Sequence, residues 1–318
     1  MERIIDGIRF VGKPLADCWD VRVFEVNGHR ETSARPTISW VEDTSHGTGA
    51  PYTLDHLSAA QLKRREKEDE RDELERREAA LKKSATRAKT MCRRVIKAEG
   101  FNELLTLTYR ENQTDRELCK KHFKEWVRRM KKALGDFRFC ASFEKQDRGA
   151  MHIHCATHKL PTHALYKHVK VKAWEVGTRI WRDIIGNTPR HGPCRPGDTL
   201  PPITNGLCFV GGKPKQPHQK RRKNMSIAKM AGYVSKYILK DYEDSPAEKN
   251  RYSRSNGTVI PKAVLVQITA CSFADLIGLC FQCPDGDVVV SHNIGTDFER
   301  ESYWLVTEPD QSLKVTNE

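Results

Sequence analysis

Phe139-Cys-Ala-Ser-Phe-Glu144-Lys-Gln-Asp-Arg148-Gly-Ala-Met-His152-Ile-His154-Cys-Ala-Thr157 is the stretch on which the reading of this chain turns. Apolar residues recur at every second position on both sides of Asp147-Arg148-Gly149, the pattern of a strand, a tight turn and a second strand. With the turn centred at Arg148, Glu144 faces His152 and Ser142 faces His154. Cross-strand partners point to one side, and residues two apart on a strand share a face. Glu144, His152 and His154 therefore project together, and Phe139, Ala141, Phe143, Met151, Ile153 and Cys155 project from the other side. One face is predicted to be core and the other to carry chemistry.

Two imidazoles and a carboxylate leave open positions on a bound cation. Such a set suits Mg²⁺ or Mn²⁺ acting on a phosphate, with water and phosphate oxygens completing the shell. A His-x-His pair alone is a weak signal, because two surface histidines on a strand are common; Glu144 on the same face strengthens it. A metal hydrolase built on a barrel would need further ligands at the ends of later strands, and no βα repeat is present to supply them.

The second informative stretch is Tyr233-Val-Ser-Lys236-Tyr237-Ile-Leu-Lys240. Positions 233, 236, 237 and 240 fall on one stripe of a helix, beside a core-facing stripe of Ile227, Met230, Ala231, Val234 and Ile238. A phenol ionises near ~10 and needs help to attack phosphorus at neutral pH. A nearby ammonium and a cation on the phosphate would give that help. Without the hairpin, the same stripe reads as a basic helix with two amphipathic tyrosines at the rim of a core.

Around these stretches the chain divides into a β-prone extension over 1–54, a charged helix over 55–98, a nuclease-like domain over 99–260 and a β-prone tail over 261–318. Asn27-Gly28 between two β-prone runs predicts a hairpin. Residues 63–78 are almost unbroken charge of both signs, a solvated helix held by i,i+4 ion pairs. Phe101–Tyr109 reads as a strand of the sheet centre. Asp115–Leu134 reads as an amphipathic helix stopped by Gly135, Val169–Ile185 as a second helix and Ser226–Asp241 as a third. Residues 186–224 are rich in Pro, Gly, Lys and Arg and read as a mobile basic loop. Its cations Lys213, Lys215, Lys220, Arg221, Arg222 and Lys223 are candidates for the DNA backbone.

Of the 318 residues, 31% are charged and the net charge is +13, which favours a polyanionic partner, nucleic acid first among them. The ten cysteines are scattered, as reduced thiols of a cytosol would be. No apolar stretch suited to a signal peptide follows Met1. Ala263–Cys283 is long and apolar, but Gln267 and Asp275 near its middle point to core strand and helix rather than a membrane span. Cys280-Phe-Gln-Cys283 has zinc-ligand spacing without a second spaced pair. Gly206–Pro214 fails as a phosphate loop, because Leu207 stands in place of the first glycine and Pro214 in place of the metal-holding hydroxyl. Unwinding of a duplex would then fall to a separate helicase.

The order Thr106-Leu-Thr-Tyr109, then Glu144 and Arg148-Gly-Ala-Met-His152-Ile-His154, then Tyr233-x-x-Lys236-Tyr237-x-x-Lys240 resembles the HUH endonucleases. More narrowly, it is similar to the rolling-circle replication initiators of small phages and plasmids, including the filamentous-phage replication endonucleases. Asn250-Arg-Tyr-Ser-Arg-Ser255 also looks like a segment that follows the tyrosine motif in that group. The resemblance spans roughly residues 88–260.

It implies an α+β fold with a central, mainly antiparallel, ferredoxin-like sheet and the tyrosine helix laid across it. It also implies nicking of one origin strand, a 5′-phosphotyrosine intermediate and later rejoining. His152 and His154 would be metal ligands, with Glu144 as the third. Tyr233 and Tyr237 would be nucleophiles, with Lys236 and Lys240 assisting; some such initiators use two tyrosines alternately and others one. Single-stranded origin DNA would be the substrate, host helicase and polymerase the partners, and the cytoplasm of a bacterial host the compartment. A transposase or relaxase built from the same parts, and a basic DNA-binding protein without catalysis, are the alternatives.

Overall fold

The computed structural model describes residues 2–5, 8–44, 59–109, 112–147, 149–186, 208–210, 226–240, 251–282, 287–297 and 300–310. They fall into two compact units, Ala79–Ile260 and a unit made of Met1–Glu78 with Pro261–Glu318. The chain opens with β1 (Glu2–Ile5), β2 (Ile8–Val26) and β3 (His29–Glu42). Asn27 and Gly28 join β2 to β3 with positive φ of 50° and 73°. A two-residue hairpin turn needs that left-handed pair, which Asn-Gly adopts at little cost.

Helix α1 (Ala59–Glu99) follows. Its charged stretch carries the anticipated i,i+4 pairs, Arg77 with Glu73 at 2.5 Å and Arg71 with Glu75 at 3.8 Å. Burial comes only towards its end, where Ala85, Cys92, Val95 and Ile96 are fully enclosed.

Beyond α1 come β4 (Glu103–Thr108) and α2 (Arg116–Leu134). Asp115 caps α2 by accepting hydrogen bonds from the Glu117 and Leu118 N–H groups at 2.8 and 3.1 Å. Gly135 ends it at φ 80°, its N–H bonded to the Lys131 carbonyl at 2.9 Å. Cys119, Phe123, Trp126, Val127 and Met130 form the buried stripe.

The decisive stretch is β5 (Phe139–Lys145) and β6 (Met151–Thr157), in the anticipated register: Glu144 opposite His152 and Ser142 opposite His154. Next are β7 (His163–Tyr166), β8 (Val169–Lys172) and α3 (Ala173–Ile184). The sequence predicts helix from Val169, but Lys167 and His168 take positive φ in a turn and the alternating Val-Lys-Val-Lys pairs with β7. Helix therefore begins four residues later. The unit closes with β9 (Cys208–Val210), α4 (Ile227–Lys240) and β10 (Tyr252–Arg254).

The strands order β10-β5-β6-β4-β9, every pair antiparallel. On one face, the odd-numbered residues of β4, β5 and β6 meet α2 and α3 in a single apolar cluster. The Trp126 and Trp181 indoles fasten it, donating to the Gly177 and Thr108 carbonyls at 3.0 and 2.7 Å. Both rings are fully buried, each worth about 1.5–3 kcal/mol or more of transfer energy.

The tail supplies β11 (Val264–Ile268), α5 (Phe273–Phe281), β12 (Asp287–Asp297) and β13 (Arg300–Pro309). β11 pairs with β2 and β13 with β3, so the two ends of the chain share one six-stranded sheet. Among the described residues, no helix is long and apolar enough to cross a membrane.

Candidate metal and tyrosine site

The second face of the five-stranded sheet has two parts. At the end away from the β5–β6 turn it is apolar. Cys140 and Ala156 meet Cys92, Val95 and Ile96 of α1 and Met230, Ala231, Val234 and Ile238 of α4 in a core of their own. The face thus carries chemistry over only part of its length, a correction to the simple split into a core side and a chemical side. Cys140, Ser142 and Ala156 are small, and small residues let a helix backbone approach the strands closely. The buried Ser142 hydroxyl donates to the Val234 carbonyl at 2.7 Å and fixes α4 over the hairpin.

Towards the turn the face is polar. One cross-strand row runs Thr108, His152, Glu144, and the next runs Thr106, His154, Ser142, Tyr252. His154 Nε2 and Glu144 Oε2 lie 2.8 Å apart, both residues buried. His152 is half-buried, with its Nδ1 3.2 Å from the Gln146 amide. Burial pushes the Glu144 carboxyl up, but the hydrogen bond from His154 and the charges of His154, Lys240 and His152 outweigh it and hold it below its usual range.

Helix α4 brings its tyrosines onto this row. Tyr237 stacks on the His154 imidazole, ring centroids 4.2 Å apart and planes within 10°, and Tyr233 meets the same ring edge-on at 5.3 Å. The Lys236 ammonium lies over both phenols, 4.6 and 4.7 Å from their centroids. Lys240 reaches back to Glu144 at 3.5 Å and to Asp147 at 3.1 Å, joining the helix end to the hairpin tip.

The two tyrosines are not equivalent. Tyr237 is only 7% exposed, whereas Tyr233 is half-buried. Burial raises the Tyr237 hydroxyl pKa far above the ordinary phenol value, with hydrogen bonding to Tyr233 and the charges of Tyr233 and Glu144 adding to the rise.

Whether these residues fit a divalent cation can be tested on the donors themselves. Their types, two imidazoles and a carboxylate, suit a hard or borderline ion. His154 Nδ1 is buried with no hydrogen-bond partner among the described residues, a costly state that a ligand would relieve. Glu144 and His154 converge in direct contact; His152 stands one strand position away. Among the described residues, no three His, Cys, Asp or Glu side chains stand as a closed metal cage. The set fits an open cation site whose third donor, the half-buried His152, closes by turning its side chain.

All seven residues singled out here, Glu144, His152, His154, Tyr233, Lys236, Tyr237 and Lys240, are therefore brought together. Arg148 and the six basic-loop candidates Lys213, Lys215, Lys220, Arg221, Arg222 and Lys223 lie outside the described residues, as does Cys283 of the Cys-x-x-Cys pair. Sequence reasoning did not foresee Asp147 as a partner of Lys240 or Gln146 as a partner of His152. No local pattern says that a helix end ninety-three positions further along returns to the turn. Thr106 and Thr108 were legible as part of a strand, and only pairing with β6 sets them beside the histidines.

No curated protein and no solved structure matches the chain. A family model does match, over residues 102–191 and hence over the hairpin but not over α4, and that family is described as replication-associated protein ORF2.

Proposed function

We propose that the protein starts DNA replication by cutting one strand at an origin through a tyrosine, in the manner of the HUH rolling-circle initiators, and rejoins it later. The observation that carries the reading is the convergence of a His-Glu pair, a second histidine and two phenols at one end of one sheet face. The family match over the hairpin agrees with a replication role. Glu144, His152 and His154 would hold Mg²⁺ or Mn²⁺, which supplies Lewis acidity to a bound phosphate oxygen. Lys236, over both rings, favours a phenolate, and Lys240 holds Glu144 ionised and aimed at His154.

Tyr233 is the better candidate for the first cut, because its ring is the less enclosed and it does not stack on the ligand histidine. In that step the Tyr233 hydroxyl oxygen bonds to phosphorus, the P–O3′ bond breaks and the phenol proton ends on the 3′-hydroxyl. A phosphodiester is exchanged for a phosphotyrosine, so rejoining needs no ATP. Tyr237 would serve in a later transfer, after leaving its stack on His154.

The test is cleavage of a labelled single-stranded origin oligonucleotide with Mn²⁺ or Mg²⁺, followed by mass spectrometry of the adduct. Wild-type protein should carry the nucleotide on Tyr233 after one turnover. Tyr233→Phe should lose the first cut, and Tyr237→Phe should keep it. Free 5′-phosphate ends without an adduct would sink the mechanism and leave the DNA-binding alternative.

A further inference from the structure

The face of the sheet turned away from Glu144 and His154 carries a cleft of about 820 Å³, between α2 and the edge strand β10. That volume lies inside the range of about 300–1,000 Å³ usual for ligand sites. Its floor is apolar, formed by Phe123, Val127, Phe139 and Phe143; its rim carries Lys120, Lys124 and Arg254. Glu117 is the one carboxylate of the lining and is already paired with Lys120 at 3.2 Å. Lys124 and Arg254 are exposed, and neither has an ion-pair partner among the described residues. The cleft therefore presents uncompensated positive charge above an apolar floor.

The β10 wall is fixed in advance. Ser255 donates its backbone N–H to the Phe139 carbonyl at 2.9 Å, and its buried hydroxyl accepts from the Phe139 N–H at 3.0 Å. Ser253 lies opposite Ala141 and so shares the α2 side of the sheet. β10 is the last strand of its sheet, and among the described residues nothing pairs with its outer edge. Its backbone groups there stand available to a ligand. Tyr252-Ser-Arg254 is the motif the catalytic reading leaves without a role.

We propose that this cleft is a binding groove for single-stranded DNA, with phosphates against Lys120, Lys124 and Arg254 and a base on the apolar floor. Repeated negative charge with flat apolar faces between the charges is the chemistry that complements such a rim and floor. The groove holds the strand on the far side of the sheet from the cut, so binding and cutting depend on different residues. This inference rests on the reading that the chain acts on DNA.

The experiment compares two triple variants of equal charge: Lys120→Gln, Lys124→Gln, Arg254→Gln in the groove, and Lys121→Gln, Lys131→Gln, Lys132→Gln elsewhere on α2. The probe is a fluorescein-labelled single-stranded oligonucleotide, its anisotropy followed across a salt series. Loss of three phosphate contacts should lower the slope of log affinity against log salt by about 2 for the groove triple. The control triple should keep the wild-type slope. Ser253→Trp, which fills the cleft without altering charge, should weaken binding as well.

Equal effects of the two triples would overturn the groove, as would displacement of the oligonucleotide by poly-glutamate at matched charge. At saturating DNA the groove triple should cut at the wild-type rate. His152→Ala with His154→Ala should bind DNA normally and cut none. If the groove effects appear but wild-type protein forms no adduct, only the nuclease reading fails.

Discussion

The two faces of the five-stranded sheet are made from alternate residues of the same three strands, yet they do opposite work. Leu105, Leu107, Phe139, Ala141, Phe143, Met151, Ile153 and Cys155 meet α2 and α3 in continuous apolar contact. Their neighbours Thr106, Thr108, Ser142, Glu144, His152 and His154 lie on the α4 side, where His154 Nδ1 is left buried without a hydrogen-bond partner among the described residues. A sheet can carry that cost on one face because the other holds the fold. An unsatisfied buried group costs about 1–3 kcal/mol, a sum that one or two well-buried aromatic rings offset.

The sharpest way to break the comparison is to remove the imidazoles. His152→Ala with His154→Ala should lower metal-dependent cutting by more than about 100-fold, since even supporting partners of a metal ligand are worth about 10–100-fold. The fold should survive, as judged by circular dichroism and a cooperative urea transition. A variant that loses its cooperative transition would mean that the polar face also holds the structure. Ile153, between the two histidines but fully buried on the other face, should behave in reverse. Ile153→Ala should cost about 2–5 kcal/mol in urea denaturation, with single-turnover cutting by the remaining folded protein near the wild-type rate. A cost below about 1 kcal/mol, on the order of an exposed site, would remove the distinction between the faces.

The smallest effect concerns pH. Glu99, at the end of α1, accepts from the Arg138 guanidinium just before β5. That hydrogen bond, against burial and with help from Thr258 and the charges of Arg138 and His158, holds its carboxyl below the usual range. A depressed folded pKa stabilises above the unfolded value of about 4.3 and is lost as pH falls through the folded one. Glu99→Gln should therefore lower the melting temperature at neutral pH and converge on wild type in acid. Parallel melting curves across that window would show that this pair adds nothing.

How much of this was legible in the sequence follows from the range of each interaction. Alternation around Arg148 was enough for the hairpin, its register and the side on which Glu144, His152 and His154 lie, because a strand has a period of two residues. Asp115 and Gly135 marked the ends of α2 through local caps. The Val169–Lys172 strand was missed because its pairing depends on a turn with two residues at positive φ, Lys167 and His168, for which neither residue is a strong signal.

By itself the sequence determined which residues share a strand face or a helix stripe, since those periods are set by backbone geometry within a few residues. Only the tertiary structure decided that α4 lies on the histidine row, because that depends on the small Cys140, Ser142 and Ala156 beneath it and on the buried Ser142 bond to Val234. It also decided that Tyr237 stacks on His154 while Tyr233 stays half-open, and that Lys240 closes onto Asp147. Two tyrosines one helical turn apart are alike in sequence; what separates them is how far each sits from the edge of a packed core.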